Sequence, residues 1–192
     1  MDKKERILKE AIIKFSEKGY NNTTMIEIAR GARVGKGTIY NYFENKQDLI
    51  NHVIKFGIKK LNTTIKQQVI KQENFKRKLE YIIEGYLQFY LQNYELGKLL
   101  IRELWSHTSK FEERIEIIHQ NHTKILKNII EKGQKEKNNE IKSFDSGTIT
   151  TSLIGTLNAV IFHWMMFRQT FPAKQIKYEI KEIFFNGILE NK

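Results

Sequence analysis

Two stretches of this chain hold residue types whose spacing could do chemistry. The first is GKGTIYNYFENKQ, from Gly35 to Gln47, where a glycine-framed lysine runs into a pair of tyrosines. Such a start could cradle the phosphates of a nucleotide, or open a short helix that grips the phosphates of a DNA backbone. The nucleotide reading fails on spacing. A phosphate-binding loop keeps four residues between its first Gly and the Gly-Lys pair, has Ser or Thr directly after the Lys, and lies between a strand and a helix. Here Gly31 is one residue too close, Gly37 follows Lys36, and no strand pattern precedes them.

The second stretch holds Glu116, His119 and His122 at i, i+3, i+6, and Glu-x-x-His is half of a di-iron bundle signature. The other half, a second Glu-x-x-His, does not occur. His107 could complete a mononuclear site, which would make the chain a helical metal-dependent enzyme or metal binder. Surface or polar-core histidines account for the same residues with no metal, and that reading is preferred. No Gly-x-Ser-x-Gly, no Ser/His/Asp order and no dinucleotide fingerprint occurs, so the residues point away from an enzyme and call for no cofactor.

The elements that must position the first stretch are helical. A single proline, Pro172, and Ile, Leu, Lys and Glu recurring at helical spacing predict an all-α chain. Ile7, Leu8, Ala11, Ile12 and Phe15 share one face of a helix from about Lys3 to Lys18, which Gly19 ends in a left-handed conformation. Thr24 opens the next helix with a capping box to Glu27. A third short helix covers about Lys36 to Tyr42, and Asn45 caps a long fourth one over 46–70. Further helices are predicted over Leu79–Tyr94, Leu96–Ser106, Phe111–Gly133, Ser146–Arg168 and Pro172–Leu189, with Gly133–Ser143 an exposed loop.

Two short helices joined by a tight glycine-containing turn describe a helix-turn-helix. Val34 and Ile39 would supply buried contacts, leaving Lys36, Gly37, Thr38, Tyr40 and Asn41 outward. Gly37 lets the backbone approach a groove wall, Thr38 and the hydroxyls of Tyr40 and Tyr42 can reach phosphate, and Lys36 is placed for a base edge. Tyr40 and Tyr42 would look the same as half-buried surface tyrosines. Lys46 and the first-turn amides of the fourth helix are expected to form a second phosphate clamp.

At these residues the chain resembles the tetracycline-repressor (TetR) family of bacterial transcription regulators. The resemblance rests on Ile7-Leu8…Ala11…Phe15…Gly19-Tyr20, on Thr24…Ile28-Ala29, and above all on Gly37-Thr38-Ile39-Tyr40…Tyr42-Phe43…Lys46…Leu49. It covers residues 3–55 in motif and the rest only in length and helix count. It implies a dimer of about nine helices per subunit, with a helix-turn-helix head over 1–46 and a helical ligand-binding and dimerisation domain over 47–192. The heads would bind a double-stranded operator with Thr24, Arg33, Lys36–Thr38, Tyr40–Tyr42 and Lys46, and an effector bound in the C-terminal domain would move them apart. Two positions depart from the family pattern. Arg33 stands where Gly is usual at a left-handed turn, and Gly35 stands where a capping side chain is usual.

In the C-terminal part, Gly155 and Ala159 sit four apart, with Leu153, Leu157, Ile161 and Trp164 forming a broad apolar face and Ile180 and Phe184 on the last helix. Two such helices from each subunit would make a four-helix bundle about a two-fold axis. The same faces could instead complete the monomer's own core. Tyr86, Phe89, Tyr90, Trp105, Phe111, Ile118, Asn158, Phe162 and Met166 are candidate pocket lining, although an aromatic stripe at helical spacing also reads as plain core. If they line a cavity, its apolar wall suits a hydrophobic or aromatic effector.

Charge agrees with a polyanion partner at one end. The net charge of +11 is concentrated in residues 1–80, with 18 Lys and Arg against 9 Asp and Glu. A lysine-rich solvated surface would give the same excess. The absence of cysteine fits a reducing cytoplasm. The opening MDKKERILKEA has no apolar core for a secretory signal, and the longest apolar stretches, Ala159–Phe162 and Trp164–Phe167, fall short of a membrane span.

Overall fold

The computed structural model describes residues 2–72, 74–104, 112, 116, 122–135, 142–167 and 172–188. Among them the chain is all-α, with nine helices: α1 Lys3–Lys18, α2 Met25–Gly31, α3 Lys36–Tyr42, α4 Lys46–Val69, α5 Phe75–Gln92, α6 Tyr94–Leu104, α7 Lys124–Lys135, α8 Ser146–Phe167 and α9 Ala173–Ile188. They divide into two compact units, one from Met1–Gly57 with Asn93–Ile117, the other from Ile58–Gln92 with Ile118–Lys192.

The first unit is built on α1. Its face of Ile7, Ala11, Ile12 and Phe15 is buried, and Gly19 closes it at φ 80°, a backbone conformation that favours glycine. The Thr24–Glu27 capping box starts α2, with both reciprocal hydrogen bonds made. Glu27 also accepts from Lys18 at 2.8 Å, and these donors hold its carboxyl down at about 2. The unit is not confined to residues 1–46, because α6 docks on α1. The Ser16 hydroxyl donates to Glu95, and Arg102 donates to the Ser16 carbonyl at 3.0 Å, a cation at the end of α1. Leu96 and Leu100 press on Gly57, where an added Cβ would stand 3.0 Å from each.

In the second unit α5 begins at Phe75, earlier than periodicity predicts, because the Asn74 side chain caps the Arg77 amide at 3.1 Å. Lys177–Glu84 at 2.7 Å and Lys181–Glu80 at 3.0 Å tie α9 to α5. A buried polar chain joins three helical segments. His122 Nδ1 lies 2.6 Å from Asn62 Oδ1, and the Tyr86 hydroxyl meets Nε2. With Asn62 accepting, the proton sits on Nδ1 and Tyr86 donates to Nε2. Burial drives the imidazole down to about 4 and raises the Tyr86 phenol.

Two sequence expectations need correction here. Leu153, Leu157, Ile161, Ile180 and Phe184, assigned to a dimer face, are buried within the protomer itself. Helix α8 is apolar on nearly every side, so its i, i+4 stripe goes to the protomer core and leaves Gly155 and Ala159 exposed, with Trp164 half-buried. Secondly, α8 is long and apolar enough by length and composition to cross a membrane. Counting apolar runs missed this because Ser, Thr and Gly interrupt a run without adding charge. Only 28% of its apolar window is buried by the chain.

Candidate nucleic-acid interface

The helix-turn-helix lies within the first unit. α2 packs through Ile28 and Ala29, both buried, and α3 through Ile39, fully buried, with Phe43 closing the far end. Val34 is half-buried, and its amide donates to the Ala29 carbonyl at 2.9 Å, which locks the turn. With positions 39 and 43 inward, the helical period turns 36, 37, 40 and 41 outward. Lys36, Gly37, Tyr40, Asn41 and Tyr42 are exposed, and Thr38 is half-buried. The tyrosines keep 43% and 38% of their surface, so both rings stand off the unit's core. A Cβ built on Gly37 meets nothing within 4 Å, so no contact inside the protein requires glycine there.

The turn carries both departures noted in the sequence. Arg33 has φ 55°, the left-handed region, at a cost of about 1 kcal/mol for a side-chain-bearing residue. Gly35 caps α3 with no side-chain hydrogen bond, which relative to Ser loses only about a few tenths of a kcal/mol.

Two residues expected at phosphate are committed elsewhere. The Thr24 amide and hydroxyl both donate to Glu27, at 2.9 and 3.0 Å. Lys46 Nζ donates to the carbonyls of Tyr20, Thr23 and Asn21 at 2.8, 2.9 and 3.3 Å, and lies 4.5 Å from the Tyr20 ring centroid. An ammonium has three protons, and all three have acceptors in the loop between α1 and α2. Lys46 therefore ties that loop to the start of α4 rather than reaching outward. Asn45 caps α4 as expected, accepting from the Asp48 amide at 2.9 Å. Sequence reasoning missed the loop tie and the α6 residues Glu95 and Arg102, since nothing local in the chain signals either.

Of the candidate pocket residues, Tyr86, Phe89 and Tyr90 are buried in the second unit, with Tyr86 stacked on Tyr90 and Phe89 edge-on to it. Asn158 and Phe162 are half-buried and Met166 is exposed. Trp105, Phe111 and Ile118 lie outside the described residues, as do His107 and His119. Glu116 is exposed and His122 is buried with both ring nitrogens occupied by Asn62 and Tyr86. Among the described residues no three metal-ligating side chains converge.

Comparison with known proteins gives the arrangement its context. Residues 7–53 match the profile of bacterial regulatory proteins of the tetR family, and residues 54–187 match the YsiA-like protein C-terminal region. The chain is 24% identical over 184 residues to the fatty acid metabolism regulator protein of Bacillus subtilis, covering 95% of this chain and 94% of that one. Its fold is similar to the fatty acid degradation regulator FadR of Bacillus halodurans, with TM-score 0.89 at 20% identity over 97% of this chain and 96% of that one. It is also similar to B. subtilis FadR in complex with stearoyl-CoA, with TM-score 0.87 at 22% identity over 96% and 98% of the two chains. Regulators of this kind act as dimers on operator DNA and answer to small molecules. The chain belongs to the tetR family of bacterial regulatory proteins, and is one of its ligand-responsive, DNA-binding transcriptional regulators.

Proposed function

We propose that this protein is a homodimeric repressor that sits on its operator through α3 and lets go when a long-chain acyl-CoA binds the second unit. The outer face of α3 carries the DNA half of this reading. Lys36, Gly37, Tyr40 and Asn41 stand exposed on one side of a helix whose other side, Ile39, is fully buried. That side suits a major groove, with Lys36 toward a guanine edge and Thr38 and the tyrosine hydroxyls toward phosphate. Residues 1–46 carry recognition and 47–192 effector binding and dimerisation, with α6 as a brace on the head.

Likeness over nearly the whole chain to a fatty acid metabolism regulator supports the effector class, as does the apolar cluster of Tyr86, Phe89 and Tyr90. An acyl chain is the hydrophobic member of the class expected from sequence. The dimer uses the outer sides of α8 and α9, where Gly155, Ala159 and Ile183 are exposed. Gly155 has open space where a Cβ would stand, so the protomer alone does not require its smallness. The protein works in the cytoplasm and has no catalytic role.

The test is equilibrium binding to a duplex that the protein selects from a random-sequence pool, titrated with stearoyl-CoA and, as controls, with free CoA and tetracycline. Stearoyl-CoA should release the DNA, and the controls should not. Unchanged DNA affinity with stearoyl-CoA defeats the effector assignment, and failure to select any duplex defeats the DNA assignment.

A further inference from the structure

A cleft of about 250 Å³ opens on the first unit between α1 and the turn that leads into α3. One wall is the α1 stripe Arg6, Lys9, Glu10 and Ile13, spaced i, i+3, i+4, i+7, and the other is Gly31, Ala32 and Arg33. We infer that this cleft is an oxyanion site that takes a phosphodiester of the operator backbone, beside the groove that α3 enters. The inference rests on the operator reading above and adds to it a contact on the far side of the turn.

Three observations carry it. Three cationic side chains face one carboxylate, and Glu10 is itself 3.5 Å from Lys14 Nζ, which is not part of the lining. The cleft thus keeps an excess of positive charge. Arg6 Nε is buried and has no hydrogen-bond partner, a donor waiting for an acceptor where nearly all such groups are satisfied. Arg33 keeps a long cationic side chain at a φ of 55° that glycine would adopt without strain. Gly31 makes room for the one carboxylate of the cleft, since a Cβ there would overlap the Glu10 side chain.

Position decides between the sources of such an anion. Arg33 is three residues before Lys36, so the cleft's edge lies within about 11 Å of the start of α3 along the chain. That is about the width of a major groove, so a residue reading a base edge and a residue on the groove's phosphate wall can be this close. A free phosphate or pyrophosphate offers the same oxygens without that geometry.

The test compares the full-length protein with the Arg6→Gln/Lys9→Gln double variant and with Arg33→Gly, on the duplex selected by the wild type. Both variants change exposed or half-buried positions, and thermal melting confirms that they fold. The slope of log affinity against log salt should shrink by about 0.9 for each phosphate no longer neutralised, with affinity down several-fold and base preference unchanged at every position. Pyrophosphate at matched ionic strength should leave wild-type DNA binding unaltered. An unchanged slope in both variants, or an altered base preference, overturns the assignment. Pyrophosphate raising the melting point of wild type but not of the double variant, with equal DNA slopes, gives the cleft to a free anion and overturns it as well. A wild type that selects no duplex at all defeats the operator reading itself, before any variant is compared.

Discussion

Replacing Gly37 with alanine separates what α3 needs for folding from what it needs for DNA. Gly37 lies in the first turn of α3, exposed, with nothing within 4 Å of a built Cβ. In the free protein the methyl group therefore has room, and alanine restricts the unfolded chain and favours the helix. The expected gain is about 0.5–1 kcal/mol. For a protein of this size that raises the melting point by about 1–4 °C. In the complex the same methyl points at the groove wall if α3 enters the groove as proposed. Displacing the backbone there by that much should weaken operator binding about tenfold or more, a loss of roughly 1.4 kcal/mol. Thermal melting and fluorescence-anisotropy titration of a labelled selected duplex measure the two effects on one preparation. A higher melting point with unchanged affinity would mean that this face of α3 does not touch DNA. A lower melting point would refute the reading of Gly37 as free of internal duties.

Lys46→Met should lower the melting point by about 4–8 °C, from losing about 2 kcal/mol of charge-assisted bonding to the loop carbonyls, while leaving the salt slope of DNA binding intact. A slope reduced by about 0.9 with an unchanged melting point would return Lys46 to the DNA backbone. His122 contributes a pH-dependent term. Its folded value of about 4 lies below the ordinary 6.5, so the unfolded chain binds the extra proton, and stability is full above about pH 6.5 and lost on descending to about pH 4. The loss should be about 3 kcal/mol, and in denaturant titrations His122→Gln should lack that part of the acid slope; an identical slope would sink the assignment. Gly155→Leu should leave the protomer folded, since that position is open, but should shift sedimentation from dimer towards monomer; an unaltered dimer would place the interface elsewhere.

Local signals made much of the first unit legible in the sequence. The ends of α1 and α3 and the Thr24–Glu27 capping box depend on residues within a few positions of one another, and the structure shows each of them; the left-handed turn at Arg33 was implied by the family resemblance instead. The inward Ile39 followed from the helical period. The tie made by Lys46 had no local signal, because its acceptors lie 23 to 26 residues earlier, in a loop whose carbonyls only turn towards it once folded. Asn62 and Tyr86 are 60 and 36 residues from His122, so the buried polar chain had no sequence signature beyond the histidine. For α8 the difficulty was of another kind. Periodicity marks which residues are apolar, but on a helix apolar nearly all round it cannot assign one stripe to the protomer and another to a partner. Local chemistry thus revealed the head, while long-range packing decided the rest.

The outward face of α3 is tested most directly by affinity for a selected inverted-repeat duplex against a shuffled duplex of the same composition, in about 0.15 M salt. A recognition helix in the major groove predicts a ratio on the order of a thousandfold or more. Equal affinity for the two would show that the protein holds DNA only by its charge, and would contradict sequence reading by Lys36, Gly37, Tyr40 and their neighbours.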